Sequence, residues 1–344
     1  MEPTIRFSDK EILLAHGSGG KASRRLIEGL IVPILSSPEL ERLNDAATVK
    51  VGSDDVVVTT DSFVVSPRVF SGGSIGELAV NGTLNDLAVS GAEPIAITLA
   101  MILEAGLSTQ DLTHELLAIA KSARDAGIEI VTGDTKVVEH GKADGIFITT
   151  TGIGRMHQNA QLSVERARPG DRVLLSGPIG DHGITVLLAR GEIDLQADEL
   201  VSDTRSVWPF INTLLDTFGA EVKWIRDPTR GGLATTLNEF ATAAELQVLI
   251  DEENVVINPP VRGACEVLGL DPFHIANEGQ FVAIISDKVA AHAESLLKSM
   301  PGGHNARLIG SVTEGSVPIV LCKTAYGVTR VLDMLSGDPL PRIC

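Results

Sequence analysis

At 344 residues the chain is about twice the length of an ordinary domain, which sets two domains with their own cores as the expectation. Apolar residues make up 44% and charged residues 21%, which excludes a disordered or fibrous polymer, and a net charge of −17 argues against nucleic acid, whose phosphates reward Lys and Arg. Cys265, Cys322 and Cys344 form no Cys-x-x-Cys pair, so neither a disulfide framework nor a zinc site is indicated, and a reducing cytoplasm fits.

The segment Met1 to Phe7 has no apolar signal-peptide core, and the longest apolar run, near Ile95 to Leu103, is too short to cross a bilayer. The first punctuated stretch is His16-Gly-Ser-Gly-Gly-Lys21, a glycine loop before a helical pattern with Leu26, Ile27, Leu30 and Ile31. Bare amides at such a helix start can hold an anion, although no clear strand precedes them and a plain turn reads equally well. Val56 to Thr60 is a β-branched strand that ends on Asp61. A helix from about Ile75 to Ser90 follows, carrying Asn81, Asn85 and Asp86 among apolar neighbours, with Asn81 expected on its solvated side.

Ser108-Thr-Gln-Asp111 is a capping box, and Gly127 should close the helix that it opens. Ile128 to Thr132 then reads as a strand that stops at Gly133-Asp134, and Gly145 to Gly154 as another. Arg166 to Asp171 turns polar and is the domain boundary. Beyond it, Arg172 to Ser176 opens a second α/β series, and the acidic stretch Glu192 to Thr204 reads as exposed. Val222 to Ile225 runs into Arg226-Asp-Pro-Thr-Arg-Gly-Gly232 and a helix to Ala244. Asn277-Glu-Gly279 precedes a strand, Asp287 to Met300 is a helix, and Val317 to Cys322 is a strand. Cys265 and Cys322 read as core residues, and the eight histidines show no ligand spacing.

Asp61, Asp86, Asp134 and Asp227 therefore stand at element ends or in polar notches beside glycines. Carboxylates without Cys or His suit a hard cation such as Mg²⁺ that bridges phosphates, the alternative being separate solvated acids. Gly337-Asp-Pro-Leu-Pro-Arg-Ile-Cys344 completes the sequence. Pro339 and Pro341 keep it out of helical geometry, so an extended, mobile tail is expected, hinged at Gly337 and carrying a thiol that no core requires.

Asp61-Ser-Phe63, Asn85-Asp-Leu-Ala88, Gly133-Asp-Thr-Lys136 and Asp227-Pro-Thr-Arg-Gly-Gly232 resemble the ATP-binding signatures of the aminoimidazole ribonucleotide synthetase superfamily. Within it, His16 to Gly20, Gly133 to Val138, Gly180-Asp-His-Gly183, Asn277-Glu-Gly279 and Pro341-Arg-Ile-Cys344 resemble the HypE family, the carbamoyl dehydratases of nickel–iron hydrogenase maturation.

The resemblance implies an α/β (α+β), two-domain PurM-like fold over residues 1–165 and 166–325, with 326–344 as a flexible tail and the amino-terminal domains pairing in a homodimer. It implies ATP on Gly17, Gly19, Gly20, Asp61, Asn85, Gly133, Thr135 and Gly231, and Mg²⁺ on Asp61, Asp86, Asp134 and Asp227. Cys344 would receive a carbamoyl group from the carbamoyltransferase HypF, and ATP-dependent dehydration would give an S-cyanate for the iron held by HypC–HypD. Glu278 would be the base and Lys136 a phosphate counter-charge, with His16 a weaker catalytic candidate. From its neighbours alone Glu278 is a solvated loop acid. The competing readings are a sister synthetase acting on a free small molecule, which would need no tail, and a non-enzymatic assembly scaffold.

Overall fold

The computed structural model describes residues 4–17, 20–35, 37–52, 54–191, 199–335, 340 and 342–344. Two sheets organise them. The first takes β1 (Ala47–Val51), β2 (Asp54–Phe63), helix α1 (Ile75–Val89), β3 (Ala92–Glu104), helix α2 (Thr109–Asp125), β4 (Glu129–Val138) and β5 (Ile146–Met156). Its strand order is β1-β2-β5-β3-β4, antiparallel throughout except for the parallel β3–β4 pair. Ser108 caps α2 by accepting from the Asp111 amide, as the capping box predicts.

Helix α1 is buried nearly all round, with only Glu77 and Asp86 short of full burial, so no side of it faces water. Leu78 and Leu84 pack with Ile146 and Ile148 of the first sheet, while Ala88 and Val89 join Leu174 and Val207 of the second domain. Asn81 is therefore buried rather than solvated, and its amide donates to Thr204 Oγ1 at 3.2 Å.

The second domain contains β6 (Arg172–Leu175), α3 (Asp181–Ala189), α4 (Trp208–Phe218), β7 (Val222–Arg226), α5 (Gly232–Ala244), β8 (Gln247–Asp251), α6 (Pro259–Leu268), β9 (Val282–Ile285), α7 (Asp287–Ser299), β10 (Arg307–Thr313), β11 (Val320–Lys323) and β12 (Thr329–Val331). The strands order as β12-β11-β8-β10-β6-β9-β7, and only β8 and β11 pair in parallel. Alternation sends Val282 and Ile284 toward α5 and Ala283 and Ile285 toward α4 and α7, giving a helix–sheet–helix sandwich. Cys322 and Cys265 are core residues, as expected. The second sheet also extends beyond the expected boundary at residue 325, because β12 pairs with β11.

Two strands run further than the sequence reading, β4 by way of Gly133. β2 continues past Asp61 to Phe63, and β4 continues through Gly133 and Asp134 to Val138. Gly133 permits it, since a Cβ there would lie 2.1 Å from the Leu99 carbonyl oxygen of the neighbouring strand. Among the described residues no helix is long and apolar enough to cross a membrane.

Candidate active site

Between the two domains three carboxylates meet. Asp86 comes from α1, Asp227 from the end of β7, and Asp45 from the segment before β1, with one oxygen of each lying within 4.8 Å of the others. Asp45 carries no motif and was not foreseen. It is set by Arg226, which donates from Nε to Asp45 Oδ2 at 2.8 Å, from Nη1 to Glu239 at 2.9 Å and from Nη2 to the Leu43 carbonyl at 3.1 Å. Thr59 Oγ1 stands 2.8 Å from both Asp86 Oδ2 and the Asp45 carbonyl.

Burial and mutual repulsion raise the proton affinity of Asp86, Asp227 and nearby Asp61. Desolvation first, then Asp227, Asp45 and Asp61, push Asp86 well above the usual carboxylate range. Burial and the Asp45 charge raise Asp227 to about 7 despite Arg226. Asp61 is also raised by burial, with Arg230 opposing. Such oxygens are costly until a hard cation neutralises them, so the donor set fits Mg²⁺.

Asp134 does not join them within the chain. Residues opposite one another across paired strands share a face. Asp61, Thr150, Leu99 and Gly133 form one such row, and Ser62, Thr149, Ala100 and Asp134 the next. Thr150 is buried beneath α1, so Asp134 lies on the opposite, open face, three strand spacings or about 14 Å across the sheet. There Lys136 pairs with it at 2.7 Å; Gly133 and Thr135, which alternate with them along β4, are exposed as well.

Glu278 is buried at 3% exposure, not solvated. Desolvation, then Asp227, Asp61 and Asp203, raise its pKa well above the ordinary value, while Arg230 opposes them. Its Oε1 has no hydrogen-bond partner among the described residues. The backbone around it is clasped instead. Asp203 accepts from the Glu278 and Gly279 amides at 3.0 and 3.1 Å, so the acidic stretch expected to be exposed ends in the site; residues 192–198 lie outside the described residues. Asn85, expected to contact nucleotide, spends both amide protons on the Arg205 and Glu278 carbonyls at 3.0 Å and accepts from the Val207 amide.

His16 has a local task as well. Its Nδ1 accepts from the Leu13 amide and its Nε2 meets Asp9, both at 2.9 Å, so neither ring nitrogen is spare for catalysis. Gly17 accepts from Arg230 through its carbonyl, and Gly20 sits at φ +70° where a Cβ would meet the Leu335 carbonyl at 2.5 Å. Ser18 and Gly19 lie outside the described residues. Gly231, at φ +77°, precedes α5 beside Asp227; the Gly232 amide donates to the Thr229 carbonyl at 2.9 Å, and no side chain caps the helix start.

The tail, expected to be mobile, is docked. Gly337, Pro339 and Pro341 lie outside the described residues, but Leu340 and Ile343 are buried in the seam between the domains and Cys344 packs against the same cluster. Val64 and Ser66 amides donate to the Cys344 and Arg342 carbonyls at 3.0 and 3.2 Å, an antiparallel pairing just beyond β2. Arg230 is held firmly protonated by Cys344 first, with Asp61, Glu278 and Asp86 adding to the effect. One cation thus links the tail to the acids.

The N-terminal domain of the AIR synthase related proteins matches residues 43–156, and the C-terminal domain of the same family matches residues 168–323. The fold and site define a two-domain AIR synthase related protein. The carbamoyl dehydratase HypE of Azotobacter vinelandii is 46% identical over 334 residues, covering 96% of each chain. A solved HypE in complex with ATP superposes with a TM-score of 0.81 at 43% identity, covering 97% of this chain and 100% of that one. A chain of a solved HypE–HypF complex gives 0.85 at 40% identity, covering 90% and 99%. The chain belongs to the HypE family.

Proposed function

We propose that the protein dehydrates a carbamoyl group carried on its own Cys344 to an S-cyanate at the expense of ATP. The observation that carries this reading is the docking of Ile343 and Cys344 in the seam, with the charge of Cys344 acting on the same Arg230 as those of Asp61, Glu278 and Asp86. Family membership supports the reaction, and the geometry supports the roles proposed for the residues.

The thiocarbamate oxygen is a poor leaving group until it is phosphorylated. Transfer of the γ-phosphoryl of ATP to that oxygen releases ADP; cleavage of the C–O bond then releases phosphate, and loss of the two nitrogen protons leaves the nitrile on sulfur. Asp86, Asp227 and Asp45, with Asp61 beside them, would hold Mg²⁺, which when bound neutralises the charge of the phosphates. Glu278 takes protons from the carbamoyl nitrogen, and its high proton affinity suits that task. The start of α5 after Gly231, which no side chain caps, would offer backbone amides to the phosphates.

Asp134 and Lys136 serve this site only from a second copy, because in one chain they stand on the far face of the sheet, and Gly133 and Thr135 alternate with them along the edge strand β4. That open face carries Thr60, Ser62, Thr149 and Thr151, with Ile102 exposed beside them, and we read it as the homodimer surface. The carbamoyl donor is a HypF-type transferase, for which the solved HypE–HypF complex of relatives speaks, and the acceptor is iron on HypC–HypD, with all steps in the cytoplasm. Nucleic acid and membrane have no part in it.

Intact mass spectrometry after incubation with the transferase, carbamoyl phosphate and ATP decides the reading. The expected result is an adduct confined to Cys344 that loses the mass of one water when ATP is present. An adduct on another residue, or one that ATP leaves unchanged, would sink it.

A further inference from the structure

His182, at the start of α3, is completely buried, yet it touches neither the acids nor Glu278 in any contact described above. Its Nε2 lies 2.9 Å from the carbonyl oxygen of Ile343, the peptide immediately before Cys344. A carbonyl only accepts, so Nε2 carries the proton and Nδ1 must accept. The Ser202 hydroxyl, 2.8 Å from Nδ1, supplies that donor, and its own oxygen accepts from the Thr204 amide at 3.2 Å. Phe70 meets the ring edge-on at 5.4 Å between centroids, fixing its plane. Burial also drives the imidazole toward its neutral form, the one this relay requires.

We propose that His182 is a positioning residue that latches the tail for dehydration by gripping the Ile343 carbonyl. The proposal rests on the self-dehydration reading above. It explains why a histidine with no solvent access occupies this position. The other tail contacts grip different atoms: Arg190 donates to the Arg342 carbonyl at 3.1 Å, and Arg342 forks onto the Val64 carbonyl with Nε and Nη2, both at 3.0 Å. His182 holds the peptide adjoining the cysteine, so it bears on the direction in which the thiol leaves the backbone. Releasing that peptide frees the thiol for a partner without disturbing the acid cluster.

The test uses the full-length protein and iodoacetamide, with alkylation of each cysteine followed by peptide mass spectrometry. Cys265 and Cys322 are buried, so Cys344 is read against a quiet background. A buried hydrogen bond stabilises by roughly 1 kcal/mol, so His182→Ala should alkylate Cys344 about fivefold to tenfold faster than the unaltered protein. His182→Gln, whose amide nitrogen can replace Nε2, should return the rate to within about twofold, whereas His182→Asn, which is too short, should not. If the alanine variant fails to fold, the Gln and Asn pair still decides. Hydrogen exchange at the Val64 and Ser66 amides should quicken in step with alkylation. An unchanged alkylation rate in the folded alanine variant, or indistinguishable Gln and Asn variants, would overturn the latch. Both readouts work without ATP or transferase, so a failure of the dehydration reading would be seen separately, as absent water loss in the unaltered protein.

Discussion

Glu278 combines a buried carboxyl, an oxygen without a partner among the described residues and three neighbouring acids, and each of these favours the proton-bound form. Acting as a base, it works only after losing that proton, so the dehydration rate should climb with pH through its raised pKa. Single-turnover rates of Glu278→Gln should be at least about a hundredfold lower and show no such climb; a variant that keeps the pH profile would assign the base elsewhere. Asp227 makes a separate prediction about stability. Folding raises its pKa from 3.8 to about 7, so between these values the folded state binds a proton that the unfolded chain lacks, and stability falls as pH rises through the window. Without divalent cations, melting should therefore occur several degrees lower near pH 8 than near pH 5, and Asp227→Asn should flatten the difference. Added Mg²⁺ should raise the melting point most at the higher pH. An equal gain at both pH values would show that the acid cluster does not hold the cation. Asp227 stood out at its strand end, whereas Glu278 read from its neighbours as a solvated acid and was singled out only through the resemblance. Asp45 was not legible, because only Arg226, distant in sequence, gives an otherwise ordinary loop acid its place.

At the scale of elements, local signals carried furthest. The Ser108 cap, the glycine-bounded α1 and the apolar strands of the second domain depend on near neighbours, and they form where the pattern puts them. Strand ends were less legible, since β4 runs past Gly133 only because Leu99 approaches from β3. The acidic stretch misled for the same reason: Asp203 is folded back to clasp a loop of another segment. That clasp is tight, and a Cβ on Gly279 would sit 1.7 Å from the Asp203 carbonyl oxygen. Gly279→Ala should consequently move Glu278 and cost at least about tenfold in dehydration, since misplacing a catalytic group by about 1 Å can cost far more. Urea titration of the same variant should show a loss of about 1–3 kcal/mol. Wild-type turnover in this variant would mean that the loop has another resting place.

Over the whole molecule, two features bear on assembly. The open face of the first sheet should bury itself in a second copy, which brings Asp134 and Lys136 of one chain toward the acids of the other. Ile102→Asp should convert a dimer into monomers in sedimentation and remove ATP turnover with them; a monomeric variant with full activity would show that one chain suffices. The docked tail bears on kinetics. Its thiol enters the seam as part of the same covalent chain, anchored by Ile343 and the pairing with Val64 and Ser66. A tethered reactant is present at an effective concentration that dilution cannot change. Once carbamoylated, the protein should convert its cargo with first-order kinetics, one ATP per loaded chain, and no saturation by any carbamoyl donor. Turnover is then paced by how often the tail is emptied and refilled elsewhere, so the catalyst behaves as a clocked carrier whose period its partners set.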